Sequence, residues 1–479
     1  MIQKKKNAFT ILLSFYIFLS CLLIFLLIFC GFFLPSQYEY TFLGEMKYKL
    51  ERLETTEGKR IIIIGGSNVP FALKSEILEK HFPEYEIVDF GMYADLGTVI
   101  MLDWAKTEIH KGDIFILMPE QSQQTLSCYF SGESVWQAVD GAEEMLFLLP
   151  FKRYEKLLSS FPVYAGKKMF YAINGAPDPE NIYARSSFNS YGDISYSKRQ
   201  YNIMTIEYNP NDLILFSPDI IQDEFLTEIN EFASIIQEKG ASIYYHFPPM
   251  NQKALKENTK ISDIDSYYNY LQDEITFPII GNPHNCLMES GWFYDTNYHL
   301  NDSGALVFTQ MLIEDLKVVL LDTSPTEIAT ISIPEIPTQN IYVDNSCIDC
   351  FSYTKENDGW YITGFTPKGA SATSLILPVS YQDEIISGIC PDLFHENHTL
   401  VELTIQNSCV LYDAMFQGCT SFRKLILKSE VPSDYIVGDA LLDDANFSIY
   451  VPENSVDTYR RHYSWQEYAE YLFADTFKP

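Results

Sequence analysis

Positive charge is scarce in this chain: 33 Lys and Arg stand against 64 Asp and Glu, for a formal net charge of −31. A nucleic-acid partner needs a basic face to neutralise phosphates, so that class of function is excluded. Cysteine is present without a pattern that gives it a role. Of the nine, Cys21 and Cys30 fall in an apolar N-terminal run, and the seven others are too odd a number to pair completely within one chain. Cys347 and Cys350 form a lone C-x-x-C, with neither a second pair nor a neighbouring His, so no zinc site is expected. Either a local disulfide or two unpaired thiols fits that spacing. The full G-x-G-x-x-G of a dinucleotide turn is also missing. No cofactor and no metal are expected. No cleavable leader is expected either, because the apolar run ends Phe29-Cys30-Gly31-Phe32-Phe33, without the small residues of a cleavage site.

That run, residues 8–34, carries no charge and follows Lys4-Lys5-Lys6. About 20 apolar residues suffice to cross a bilayer as a helix. It reads as an uncleaved transmembrane anchor, with residues 1–7 as a cytoplasmic tip held inside by the lysines. Residues 35–57 then form a juxtamembrane segment, and everything beyond faces outward. The 479 residues exceed what one core organises, so more than one outer module is expected. The abundance of Tyr and Phe, 33 of each, fits core and sheet packing better than a carbohydrate-stacking surface.

Residues 58–321 alternate two textures. Short apolar runs rich in Ile, Val and Phe at 60–64, 86–90, 113–118, 242–247 and 275–280 predict strands buried on both faces. Helices are expected over 73–81, 97–110, 223–239, 264–272 and 304–320. This alternation predicts an α/β domain with a parallel sheet and helices on both sides. Such sheets bind ligands beyond the carboxyl ends of their strands. Residues 119–211 are too long for a crossover and read as an insertion over the active face. Residues 322–340, with three prolines, read as a linker before a domain at 341–479.

The chemistry-bearing residues lie at the expected strand ends. Ser67 follows Gly65-Gly66 directly after the first strand, and Gly91 follows the second. Alone, Ser67 serves as a helix cap as readily as a nucleophile. Far downstream, FYDTNYHLNDSG at 293–304 sets Asp295 four residues before His299, with Asp302 as the expected helix N-cap. A serine, a histidine and a carboxylate are the parts of an acyl-transfer site. His246 reads as structural, and Asn189-Ser190-Tyr191-Gly192-Asp193 as an ordinary turn or a contributor to the pocket.

Together these segments resemble the SGNH (GDSL-like) hydrolase superfamily, and within it the membrane-anchored members linked to acylation of surface polymers. The resemblance spans about residues 58–316. It implies a flavodoxin-like three-layer α/β/α domain with Ser67 as nucleophile, His299 as base and Asp295 as its orienting acid. It also implies an oxyanion hole built from the N–H groups of Ser67 and Gly91. Asn68, Glu120, Gln121, Asn189, Tyr191 and Asp193 are the candidate pocket residues. Two departures stand out. Pro119-Glu120-Gln121 follows the third strand where the family places an oxyanion-binding Asn, and an ionised Glu120 would repel an oxyanion. The Asp–His spacing is four, where the family has three. The implied function is a surface serine esterase or O-acyltransferase acting on an acylated envelope glycan, with O-acetyl as the implied acyl group. A multi-pass membrane acyl-donor partner would suit it. The alternative is a degenerate SGNH shell that only binds.

The tail repeats itself. Residues 392–405 align with 414–427 at an offset of 22, matching Phe394 to Phe416, Leu403 to Leu425 and Ile405 to Leu427. This spacing resembles BspA-type leucine-rich repeats, which implies a small β-rich docking, spacer or adhesion module.

Overall fold

The computed structural model describes residues 2–177, 179, 181–204, 206–326, 331–334, 344–356, 359–382, 384–438, 441–442 and 447–475. Much of the expected linker, 327–330 and 335–340, lies outside them. The first element is a helix, α1 (Ile2–Phe32), which ends three residues before Pro35. Its stretch Leu12–Phe32 is long and apolar enough to cross a membrane, at mean hydropathy 2.8, and only Cys30 and Gly31 of it are buried.

The segment 35–57 belongs to the fold. Its helix α2 (Met46–Thr55) buries Met46, Leu50 and Leu53, an i, i+4, i+7 face, against the core. Five parallel strands follow: β1 (Lys59–Gly65), β2 (Tyr85–Gly91), β3 (Ile114–Met118), β4 (Ser242–His246) and β5 (Ile279–Ile280). They lie in the order β2-β1-β3-β4-β5 and form an α/β domain with a parallel sheet. The four isoleucines of β1 are fully buried, as a central strand covered on both faces requires. The last strand is shorter than its 275–280 apolar run, because Pro278 has no N–H to give a ladder.

Between the strands come α3 (Asn68–Ala72), α4 (Ser75–His81), α5 (Thr98–Ala105), α6 (Gly132–Ala138), α7 (Tyr154–Asn174), α8 (Asp223–Glu238) and α9 (Ile261–Glu274), and after the sheet come α10 (Pro283–Cys286) and α11 (Asp302–Leu320). One group of helices, α2, α5 and α8, packs together. Another joins α11 to α3 and α4. The single helix expected at 73–81 is broken before Ser75, whose N–H and hydroxyl both donate to Asp193 (2.7 and 2.6 Å). The α11 N-cap is Asn301, whose side chain accepts from Gly304 N–H at 2.9 Å. Asp302, expected in that role, instead pairs with Lys74 (2.7 Å) and Arg199 (3.2 Å).

The C-terminal region has its own core and is rich in β-structure. Parallel strands Ser374–Ile376, Glu402–Ile405, Lys424–Leu427, Ser448–Pro452 and Leu472–Asp475 form one sheet. Leu403 pairs with Leu425 and Ile405 with Leu427, the same register as the internal alignment. Side chains 22 residues apart ladder alongside, as His395 with Gln417 and His398 with Thr420. The Phe394 and Phe416 rings meet at 5.6 Å. Ile436 of this region also packs on the core of the first domain. All nine cysteines are free thiols, including Cys347 and Cys350.

Candidate active site

The strand register sets the site. Gly65 lies level with Gly91 on one side and Met118 on the other, so three chain segments leave the sheet at one edge. Both glycines are forced by crowding. A Cβ on Gly65 would come within 2.3 Å of the Met118 carbonyl, and one on Gly91 within 2.3 Å of the Val69 Cβ. The chain can therefore turn from β1 into α3 at Ser67.

A hydrogen-bonded series runs from that serine. His299 Nε2 lies 2.7 Å from Ser67 Oγ, and His299 Nδ1 lies 2.9 Å from Asp295 Oδ1. The spacing of four is accommodated by a tight loop. An antiparallel bridge joins Phe293 to Leu300, Tyr294 N–H donates to the His299 carbonyl (2.8 Å), and Thr296 Oγ1 accepts from His299 N–H (3.0 Å). This fold-back turns both side chains toward Ser67. Tyr183, from the insertion, donates to Asp295 Oδ2 at 2.6 Å and fixes the carboxylate from its other side. The imidazole lies on the Phe71 ring, and the Arg199 guanidinium lies over that ring as well. Sequence reasoning singled out none of Tyr183, Phe71 and Arg199. They sit in an aperiodic insertion and a short helix, where no spacing marks them.

Glu120 is brought against Ser67. Its Oε1 accepts from the Ser67 hydroxyl (3.2 Å) and from the Asn68 N–H (3.3 Å). Burial raises the Glu120 pKa, and the neighbouring His299 opposes that shift. Asn68 is buried with its amide on the Met118 carbonyl (3.0 Å). Gln121 turns away, with its amide donating to the Leu215 carbonyl (3.0 Å).

The Gly91 N–H differs from its expected role as a free oxyanion donor. It donates to Asp89 Oδ1 at 2.9 Å, because that side chain folds forward onto its own backbone. Lys49 from α2 holds the same oxygen at 2.9 Å and the Gly192 carbonyl at 2.8 Å. Asp89 is fully buried, which pushes its pKa up to about 7, with Lys49 pulling it down. Asn189 and Tyr191 line a separate groove of about 700 Å³ between α2 and residues 185–192, and its lining includes neither Ser67 nor His299. Asp193 acts on Ser75, as described above.

The site is nearly closed: Ser67 is 5% exposed and His299 4%. His462 of the C-terminal region is close enough for the Asp295 charge to act on it, although burial pushes its own pKa down to about 4. His246, at the end of β4, pairs with Asp315 at 3.0 Å, away from the series. Among the described residues, no group of three or more His, Cys, Asp or Glu is placed to hold a metal.

No family model matches the chain, and no curated protein matches it. Among solved structures, the crystal structure of protein YxiM from Bacillus subtilis is similar at 11% identity and a TM-score of 0.27. That alignment covers 56% of this chain and 58% of YxiM, so the chain spans less than two thirds of that protein.

Proposed function

We propose that the chain is a membrane-anchored serine esterase or O-acyltransferase with an SGNH-type catalytic domain, acting outside the cell on an acylated envelope glycan. The observation that carries this reading is the unbroken series Ser67–His299–Asp295 at the carboxyl edge of a parallel sheet. The apolar α1 supports the anchor, and the 22-residue register supports a leucine-rich-repeat module beside the catalytic domain. A multi-pass membrane protein that delivers the acyl group is the partner such an arrangement suits.

In the proposed reaction, Ser67 Oγ attacks the ester carbonyl carbon as its proton passes to His299 Nε2. The tetrahedral intermediate collapses, the bond to the sugar oxygen breaks, and that oxygen takes the proton from His299. Water or a second sugar hydroxyl then attacks the acyl carbon as its proton passes to His299, and the bond to Ser67 Oγ breaks as His299 returns that proton to the serine oxygen. Asp295 holds the imidazole tautomer throughout, and Tyr183 holds Asp295. The Ser67 N–H supplies one oxyanion donor, and Glu120 in its protonated form supplies another. Gly91 joins them only if its N–H leaves Asp89.

The alternative, a shell that binds without turnover, draws on Glu120 beside Ser67 and the engaged Gly91 N–H. A fluorophosphonate probe and a chromogenic acetyl ester separate the two readings when applied to the full chain beside Ser67→Ala and His299→Ala. Labelling and ester cleavage lost in both variants support the enzyme. A folded wild type that shows neither supports the binding shell.

A further inference from the structure

Helix α7 has two apolar faces, and only one is covered. Its inner face packs on α6 and on the last turn of α1: Phe161 stacks with Phe32 at 5.3 Å, and Tyr164 with Trp136 at 5.4 Å. Lys168 donates to the Gly31 carbonyl (3.0 Å) while pairing with the buried Asp140 (2.6 Å). The exit of the apolar span is thus fixed against the middle of α7, with no flexible tether between them.

The outer face is open. Leu158, Met169 and Ile173 follow helical spacing onto one stripe, and Ile173 is 75% exposed. Phe170 widens the stripe, and in the turns just before α7 Phe147 and Phe151 are 84% and 90% exposed. Isolated exposed apolar residues need no explanation, but six large ones gathered on one helix and the turns before it mark an interaction surface. What covers this band follows from its position. Each end of α7 lies only about 15 Å along the helix from the turn that grips α1, at 1.5 Å per residue. A bilayer surrounding α1 up to Phe33 therefore reaches the band.

We infer that α7 and the turns before it lie in the interfacial layer of the same bilayer, docking the first domain onto the membrane surface. This rests on the anchor reading of α1. An amphipathic helix gains its binding from apolar area sunk at the headgroup–acyl boundary, and a neighbouring span brings it there without further cost of association. The domain then has one orientation to the membrane, and the Ser67 site works at a fixed height above it. The substrate class consistent with this is a membrane-proximal acylated polymer.

The test places a photoreactive benzoylphenylalanine at Phe18, Phe151, Ile173 or the distant exposed Ile261 in the full chain, reconstituted in phosphatidylethanolamine–phosphatidylglycerol vesicles. Lipid adducts at Phe18, Phe151 and Ile173, but none at Ile261, are the expected result. Adducts at Phe18 without any at Phe151 or Ile173 would leave the anchor standing and overturn the docking. Protein–protein adducts from Phe151 or Ile173 would overturn it in favour of a contact between copies. No lipid adduct at Phe18 would remove the anchor itself, and the docking with it.

Discussion

The imidazole of His299 lies flat on the ring of Phe71, with centroids 3.8 Å apart and planes inclined by only 11°. Phe71 sits in α3, the helix that Ser67 opens, so one short element both carries Ser67 at its start and supports the His299 ring. A base that must meet Ser67 at 2.7 Å has little freedom to tilt. Phe71→Leu should lower kcat by about 10- to 100-fold with little change in KM, since small misplacements of reacting groups cost rate more than binding. Steady-state kinetics on a soluble ester separates the two constants. A matched rise in KM would mean that Phe71 shapes the pocket and does not seat the base.

Tyr183 makes the corresponding contact on the acid. Its hydroxyl and the imidazole share Asp295, one on each carboxylate oxygen. Hydrogen bonds to charged groups contribute about 1.5–3 kcal/mol. Tyr183→Phe should therefore reduce kcat by about tenfold, while the thermal midpoint moves only slightly. Equal losses from Tyr183→Phe and Asp295→Asn would show the two acting as one unit.

Much of the Ser67–His299–Asp295 series was legible because it rests on local marks. A serine after two glycines, and an Asp and His in one loop, are visible without a fold. The 22-residue register of the tail was legible for the same reason, since Leu403 and Leu425 announce their pairing by spacing alone. What could not be read depends on distant partners. Asp89 looks like an ordinary strand-end acid until Lys49, 40 residues earlier, is seen to hold it over the Gly91 N–H. Tyr183 lies 112 residues from Asp295 in a segment with no periodicity. The residues at 35–57 look like a spacer because their apolar face is short, yet α2 seals one end of the core.

The Lys49–Asp89 pair gives stability a definite pH dependence. Asp89 has its pKa raised from 3.8 to about 7 by burial, so between those limits the folded chain binds a proton that the unfolded chain has released. Its contribution is present in full below pH 3.8 and is lost as pH rises through about 7. Glu45, also buried and raised to about 7, acts in the same direction. In Asp89→Asn the fall in thermal midpoint from pH 5 to pH 7.5 should be shallower than in the wild type. An unchanged slope would place the titration elsewhere. Lys49→Met removes the cation that pulls the Asp89 pKa down, so the loss of stability with rising pH should move to higher pH in that variant.

Glu120 decides whether the site turns over and at what pH. As a carboxylate it takes the Ser67 hydroxyl and the Asn68 N–H, and it repels an oxyanion; as a carboxylic acid it can donate to one. Burial favours the neutral form by raising its pKa. The rate should therefore fall as rising pH takes the proton from Glu120. Glu120→Gln keeps a donor at every pH. It should retain activity within about tenfold and lose that fall. A pH–rate profile of kcat/KM for both proteins reads this directly. If Glu120→Gln instead abolished turnover at all pH values, the ionised carboxylate would be the working form, and the oxyanion hole would have to be completed by Gly91 after its release from Asp89.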